Sequence, residues 1–314
     1  MSPEESPTSP LSHIRTIRMG DVGEDVLILS CVWHPTMADL LAVTTSTGQV
    51  RLLHTQPTGK PGPVSVLLAT HLAEAWTVAI APKPSSSGEH PVRGEPQRFT
   101  VYSGGDDSAA MYMCCSLDGE TQDGQARDGP AEDDPARGDG LPLRTLYPPA
   151  RIKGHTAGVT SILPLPLRLR DGAEIVVTGS YDDYIRVYAI QHQAGPASVS
   201  RARSLAEENL GGGVWRLKLL DIATESTDEL LGSEIPWMVD LLVSCMHAGV
   251  RLLRILGDGD GDCRIRVVAR FQEHRSMNYG SDFQPVTGSG ERLCVSTSFY
   301  DRLLCLWPLV EDEK

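Results

Sequence analysis

The sequence predicts an all-β protein built from repeated units, and two observations carry that prediction. Four stretches end alike: Tyr102-Ser103-Gly104-Gly105-Asp106-Asp107, Thr178-Gly179-Ser180-Tyr181-Asp182-Asp183, Val243-Ser244-Cys245-Met246-His247-Ala248-Gly249 and Ser296-Thr297-Ser298-Phe299-Tyr300-Asp301. Each follows a short apolar run and precedes another, and recurrence at a spacing of some tens of residues marks a repeat architecture. The second observation is the grammar inside the best copy. Ile175-Val176-Val177-Thr178 is β-branched and apolar, Gly179–Asp183 supplies turn residues, and Tyr184-Ile185-Arg186-Val187-Tyr188 resumes with alternating faces, which reads as a two-stranded hairpin.

A third short strand, Gly158-Val159-Thr160-Ser161-Ile162-Leu163, precedes this hairpin and follows Gly154-His155. The order of Gly-His, strand, strand ending in Ser or Thr, Asp-bearing turn and strand ending in an aromatic resembles the WD repeat, one blade of a β-propeller. That resemblance implies a buried hydrogen-bond chain through His155, Thr178 or Ser180, and Asp182, with Tyr188 in place of the terminal Trp. Five blades are legible, over Val26–Thr55, Leu72–Cys115, Arg151–Ile190, Arg203–Ile255 and Arg264–Leu309, and an extra strand is possible at Ile14–Met19. Propellers of this family usually have seven blades, so ring closure is in doubt; closure is what removes exposed sheet edges. Residues 1–25 read as an N-terminal segment, mostly disordered, and residues 26–310 as the propeller.

The chain has 314 residues, 40% of them hydrophobic, and a net charge of −13. Nearly half of that charge lies between Asp118 and Asp139, where eight acids meet two arginines. The surrounding stretch 116–142 is rich in Gly, Asp, Pro and Ala and reads as a disordered acidic insert; Pro82–Pro96 reads as a second loop. Such acidity argues against direct nucleic-acid contact. No uncharged apolar run of membrane-spanning length occurs, so no membrane insertion is expected. Seven cysteines without a CxxC pair indicate neither a disulfide framework nor a zinc site. A cytoplasmic monomer without metal or cofactor is expected. Gly257-Asp258-Gly259-Asp260-Gly261-Asp262 hints at a calcium loop, but position 269 is Ala where the bidentate Glu would stand, and a hairpin turn is the reading.

Three further segments carry features that a blade does not require: Gly211-Gly212-Gly213-Val214-Trp215-Arg216, the turn with His247 where the repeat's Asp is expected, and Asn278-Tyr279-Gly280-Ser281-Asp282-Phe283. In order with the two Asp-Asp turns, they resemble the WD-repeat diphthine methyl ester hydrolases, also called diphthine methyltransferases, over roughly the last two thirds of the chain. The family's usual Trp-Asp has become Met111-Tyr112 and Val187-Tyr188. The resemblance implies hydrolysis of the methyl ester of methylated diphthine on translation elongation factor 2, the protein substrate, within diphthamide biosynthesis. A non-catalytic scaffold or adaptor is the alternative, since a propeller fold does not fix chemistry.

Ester cleavage requires a nucleophile or activated water, a base, and donors for the oxyanion. The Gly-x-Ser-x-Gly elbow is missing. His247, with small neighbours Ala248 and Gly249, is the candidate base, or else it hydrogen-bonds its own blade in place of the Asp. Cys245 is a candidate nucleophile or a core residue. Asp282 and Tyr279 are candidates to orient the base and to donate to the ester. Gly212 and Gly213 are candidates for an oxyanion nest or a tight turn, and Trp215 and Arg216 for substrate contact at the rim.

Overall fold

The computed structural model describes residues 16, 19, 22–55, 64–82, 96–117, 143–192, 200–228, 233–285 and 292–309. All regular structure among them is β, arranged as five antiparallel sheets that follow one another along the chain. The first holds β1 (Ile28–Trp33), β2 (Leu40–Thr45), β3 (Gln49–His54) and β4 (Val64–Thr70). The second holds β5 (Ala75–Ile80), β6 (Gln97–Gly105), β7 (Ala110–Leu117) and a split outer strand, β8 (Leu143–Thr145) and β9 (Ala150–Ile152), both paired to β7. The third comprises β10 (Val159–Arg168), β11 (Glu174–Ser180), β12 (Tyr184–Gln191) and β13 (Arg201–Asn209). The fourth comprises β14 (Arg216–Asp228), β15 (Ser233–Ser244), β16 (Val250–Gly257) and β17 (Cys263–Phe271), and the fifth β18 (Asn278–Phe283), β19 (Leu293–Ser298) and β20 (Leu304–Pro308).

The first strands of successive sheets pack on one another in the order β1, β5, β10, β14, β18. Each sheet therefore starts at a shared inner wall and meanders outward, which is the blade arrangement of a β-propeller. Apolar clusters fill the gaps between blades. Ile175, Val177 and Val187 of the third meet Val239, Leu241 and Leu253 of the fourth, and Leu40, Leu52, Val101 and Met113 join the first to the second.

Three of the expected blades are corrected by the pairing: Arg151 and Ile152, expected to open the third, lie in β9 on the outer edge of the second. Residues 203–209 belong to β13, the outer strand of the third blade, and 264–271 to β17, the outer strand of the fourth. The repeat in sequence is thus offset by one strand from the blade in space, because the outer strand is the antiparallel hairpin partner of the strand before it. The Gly257–Asp262 segment is a hairpin turn, with Asp258 Oδ1 accepting from the amides of Asp260, Gly261 and Asp262. Residues 118–142 of the acidic insert, 83–95 of the second loop and most of 1–25 lie outside the described residues; Ser116 and Leu117 are strand. The two end blades keep apolar side chains in solvent: Trp33 is 54% exposed on one, Leu304 70% and Leu306 67% on the other. No substantial packing joins the fifth sheet to the first among the described strands.

The hydrogen-bond chain implied for the repeat is present in graded form. In the second blade His71 meets Ser103 (2.9 Å) and Asp107 (2.9 Å). In the fifth, Ser296 binds both His274 (2.8 Å) and Trp307 Nε1 (3.1 Å). In the third, His155 Nε2 meets Thr178 (2.9 Å), but Asp182 turns to Arg186 (2.9 Å) and to the amides of Thr156 and Tyr184, while Tyr188 donates to Lys153 O. His155 Nδ1 is left buried without a partner.

This last feature has an acid-stability consequence. Burial first, then the Arg186 charge, pushes the His155 imidazole down to about 4, so the folded protein holds it neutral while the unfolded chain protonates it near 6.5. The stabilisation is complete above pH 6.5 and is lost as pH falls toward 4, to a total of about 3 kcal/mol. Thermal unfolding followed across that window is expected to show a steep decline in the native chain and a flatter one in His155→Gln. Parallel curves for the two proteins would assign the decline to other groups.

Blades two and three share a buried polar network. Glu174 accepts from Tyr102 (2.5 Å), Thr100 (3.2 Å) and Arg168 (2.9 Å) and pairs with His192 (3.1 Å), whose other nitrogen meets Tyr147 (2.6 Å).

Candidate functional site at the mouth of the propeller

The inner strands open with an irregularity at the same place. Pairing skips Leu29 in β1, Trp76 in β5, Thr160 in β10 and Tyr279 in β18. In the fourth blade Trp215 stands just before the first paired residue, Arg216, with its amide on Ser244 O (2.8 Å). A bulge re-aims the side chain it carries. Here three of the five such residues are aromatic, and they come together where the inner strands begin. Trp215 lies 6.1 Å from Trp76, 5.0 Å from Tyr279 and 5.6 Å from Tyr181, the last from the turn after β11. Phe299, from the turn after β19, extends the arc at 6.0 Å from Tyr279. Four blades thus contribute rings to one rim.

Asp106 is the acid of this rim. Its carboxylate accepts from Trp76 Nε1 (3.3 Å), and among the described residues it forms no ion pair; Arg151 lies instead against its neighbour Asp107 (3.7 Å). Two glycines make room for the cluster. A Cβ on Gly158 would sit 2.7 Å from Asp106 Oδ1 and 3.1 Å from the Tyr181 ring, and one on Gly213 would sit 2.7 Å from Met246 Sδ and 3.3 Å from Tyr181. Burial pushes the Tyr181 phenol up, and the neighbouring Tyr279 and Asp106 add to it, which places these oxygens in one electrostatic neighbourhood.

The turn bearing His247 lies beside this rim. Ser244 pairs with Val250 as Gly179 pairs with Ile185 and Gly104 with Ala110, so His247 occupies the position of Asp182 and Asp107. It does not take over their hydrogen bonds. Its side chain is exposed and makes none among the described residues. The buried Arg251 guanidinium does that work, donating to the carbonyls of Ala248 (2.5 Å), Val250 (3.1 Å) and Leu210 (3.4 Å). Met246 adopts φ +42° and bridges to Asn278, which ties the turn to the fifth blade.

Two expectations are corrected. Cys245 is fully buried, and burial pushes its thiol up to about 12, so it holds no thiolate near neutral pH. Asp282 is engaged by Lys218 (2.5 Å) and sits four residues along β18 from Asn278, about 13 Å from the His247 turn at strand rise, too far to orient that ring. Gly212 and Gly213 lie under the turn: a Cβ at 212 would collide with Cys245 O and lie 2.8 Å from the Ala248 Cβ. Their lack of side chains lets the turn approach; only Gly211 of the three has positive φ, at 79°. Arg216 is exposed, beside Trp215.

Trp76, Tyr181 and Asp106 are site residues that the sequence does not single out, Tyr181 and Asp106 because they stand in repeat turns. The available signal was the aromatic in Ala75-Trp76-Thr77, Val214-Trp215-Arg216 and Asn278-Tyr279-Gly280, each at the start of an inner strand. Among the described residues no cluster of three or more His, Cys, Asp or Glu has metal-binding geometry, and no helix is long and apolar enough to cross a membrane.

Sheet order and inner-wall packing make this protein a β-propeller with an aromatic mouth. It is a homologue of the Schizosaccharomyces pombe protein named diphthine methyltransferase, with 28% identity over 298 residues, covering 95% of this chain and 68% of that protein. No family model matches the chain. Two crystal structures of BBS1N in complex with ARL6DN, soaked with lead and with mercury, align over 97% of this chain and 67% and 68% of theirs, at TM-scores of 0.41 and 0.42 and identities of 12% and 10%. The fold assignment rests on the strand pairing described above. The homologue's name points to diphthamide biosynthesis.

Proposed function

We propose that this chain hydrolyses the methyl ester of methylated diphthine on translation elongation factor 2, in the cytoplasm and without a cofactor. The observation that carries the reading is the similarity to diphthine methyltransferase along 95% of the chain. The mouth supports it with a rim of Trp76, Tyr181, Trp215 and Tyr279 able to take a protruding modified side chain. In the reaction, water adds to the ester carbonyl, its proton passes to His247, and methoxide leaves as methanol with a proton returned to it. Burial of Cys245 favours water over a covalent thioester route. In this reading Tyr279 donates to the ester oxygen and Arg216 pairs with the carboxylate that hydrolysis leaves.

Mass spectrometry of elongation factor 2 carrying methylated diphthine, before and after incubation with the protein, tests this directly. Loss of one methylene mass is the expected result. No change from a folded sample would mean no hydrolysis. A second reading, a binding platform, is favoured by one observation: His247 has no hydrogen-bonded orienting partner among the described residues.

A further inference from the structure

We propose that this chain forms a two-fold dimer through the open edge of its fifth blade, β20 pairing antiparallel with β20 of a second copy. The contact lies on the outer edge of a blade and is independent of the chemistry read at the mouth.

The first observation is a missing strand. Blades one, three and four each end in a fourth strand laid on the third, and blade two carries the split pair β8 and β9 there, whereas blade five stops at β20. The outer edge of β20 thus has no strand on it among the described residues, and an edge of this kind is a template for another chain. Edges are ordinarily guarded by charge, yet Leu303-Leu304-Cys305-Leu306-Trp307 carries none. β20 is also held from its other face: Trp307 stacks on Phe271 at 4.7 Å and donates to Ser296 at 3.1 Å. A strand already fixed in this way loses little freedom when it is paired.

The second observation is the surface beside that edge. Five of the eleven exposed large apolar side chains among the described residues fall between Phe299 and Leu306, and Leu304 and Leu306, two apart on one strand, share its open face. Apolar exposure concentrated in this way marks an association surface.

Charge selects the occupant. Two-fold antiparallel pairing sets the start of one β20 against the end of the other, so Arg302 meets the Glu311-Asp312-Glu313 run of the second copy, and the contact is made twice. Arg302 is exposed and forms no ion pair among the described residues. The chain's own Ile14–Met19 run is the other short strand that fits. Laid antiparallel on β20, however, it would bring Arg18 beside Arg302, and Thr16 and Met19 are irregular in this structure. Pro308 lacks an N–H and ends the pairing after Trp307, and a contact this short makes a reversible, concentration-dependent dimer.

Sedimentation equilibrium on the full chain tests this. The weight-average mass is expected to rise with concentration from 34.0 kDa toward twice that value and to level there. Hydrogen exchange at the amides of Leu304, Cys305, Leu306 and Trp307 is expected to slow over the same range. Leu304→Lys and Leu306→Lys empty no core, since both side chains are exposed, and each is expected to weaken the dimer roughly tenfold. Arg302→Glu is expected to weaken it roughly fivefold, with recovery when Glu311, Asp312 and Glu313 are changed to Lys in the same chain. Circular dichroism establishes that each variant is folded. A mass of 34.0 kDa at every concentration, the monomer expected from the sequence, would overturn the proposal. So would a dimer that both leucine variants leave intact, or a mass that climbs past two copies, which would mark an open-ended contact.

Discussion

Replacing Glu174 with leucine is expected to destabilise the fold by about 3 kcal/mol. The carboxylate is nearly inaccessible, yet burial, which opposes its charge, is outweighed by His192, Tyr102 and Arg168, so it stays ionised below its ordinary value of 4.5. Removing it strands the fully buried Tyr102 hydroxyl and leaves His192 and Arg168 facing an apolar group. Arg168 is partly exposed and can turn to water, which keeps the estimate well under the extreme for a buried pair. Glu174→Gln keeps an acceptor and is expected to cost about half as much. Because the folded carboxyl titrates below its unfolded value, this stabilisation is present above pH 4.5 and is lost as pH falls through the folded value. Urea unfolding at pH 7 measures both variants. A loss under about 1 kcal/mol for Glu174→Leu would mean that the network between blades two and three is a surface ornament to packing.

His247→Ala is expected to lower ester hydrolysis roughly 10²- to 10⁴-fold, the range for loss of a positioned general base, while leaving thermal unfolding nearly unchanged. The structural half of that expectation follows from its position. Arg251 holds the turn from beneath through three carbonyls, and the His247 ring is exposed without a hydrogen bond among the described residues. Its removal therefore empties no core and orphans no partner. Cys245→Ala, by contrast, is expected to leave the hydrolytic rate intact at some cost in stability, since that side chain is packed among Leu241, Val243 and Val214. A His247→Ala protein with native turnover would move the base elsewhere on the rim. A Cys245→Ala protein that folds normally but is inactive would restore the covalent route.

The turns were legible because turn chemistry is local. Gly-Ser-Tyr-Asp-Asp announces a hairpin whatever surrounds it, and the alternation on either side states which face is buried. The offset of β13 and β17 was not legible, because the choice of blade for an outer strand depends on pairing across a loop and carries no local mark. His71 illustrates the same limit. It stands among polar and apolar neighbours with no Gly before it, and only the folded chain shows it bound to Ser103 and Asp107.

The site divides along the same line. Tyr279, Trp215 and the two glycines stood out as residues that a blade does not need, and the fold gathers them at one rim. Asp282 and Cys245 stood out equally and went elsewhere, the first because a strand runs about 3.3 Å per residue and the second because its stretch of chain is buried throughout. Cys245 closes a run, 241–245, that is buried on both faces, and a difference of four positions carries the Asp282 carboxylate toward the far end of β18.

By itself the sequence determined that this protein is a repeat of short antiparallel strands, where its turns fall, and that His247 stands in place of an Asp. Those are properties of neighbours in the chain, fixed by side-chain periodicity and backbone freedom over a few residues. Only the tertiary structure decided that Trp76, Asp106, Tyr181, Trp215 and Tyr279 share a mouth, because they come from four blades and more than two hundred positions of chain, and their meeting depends on bulges and on the stacking of inner strands.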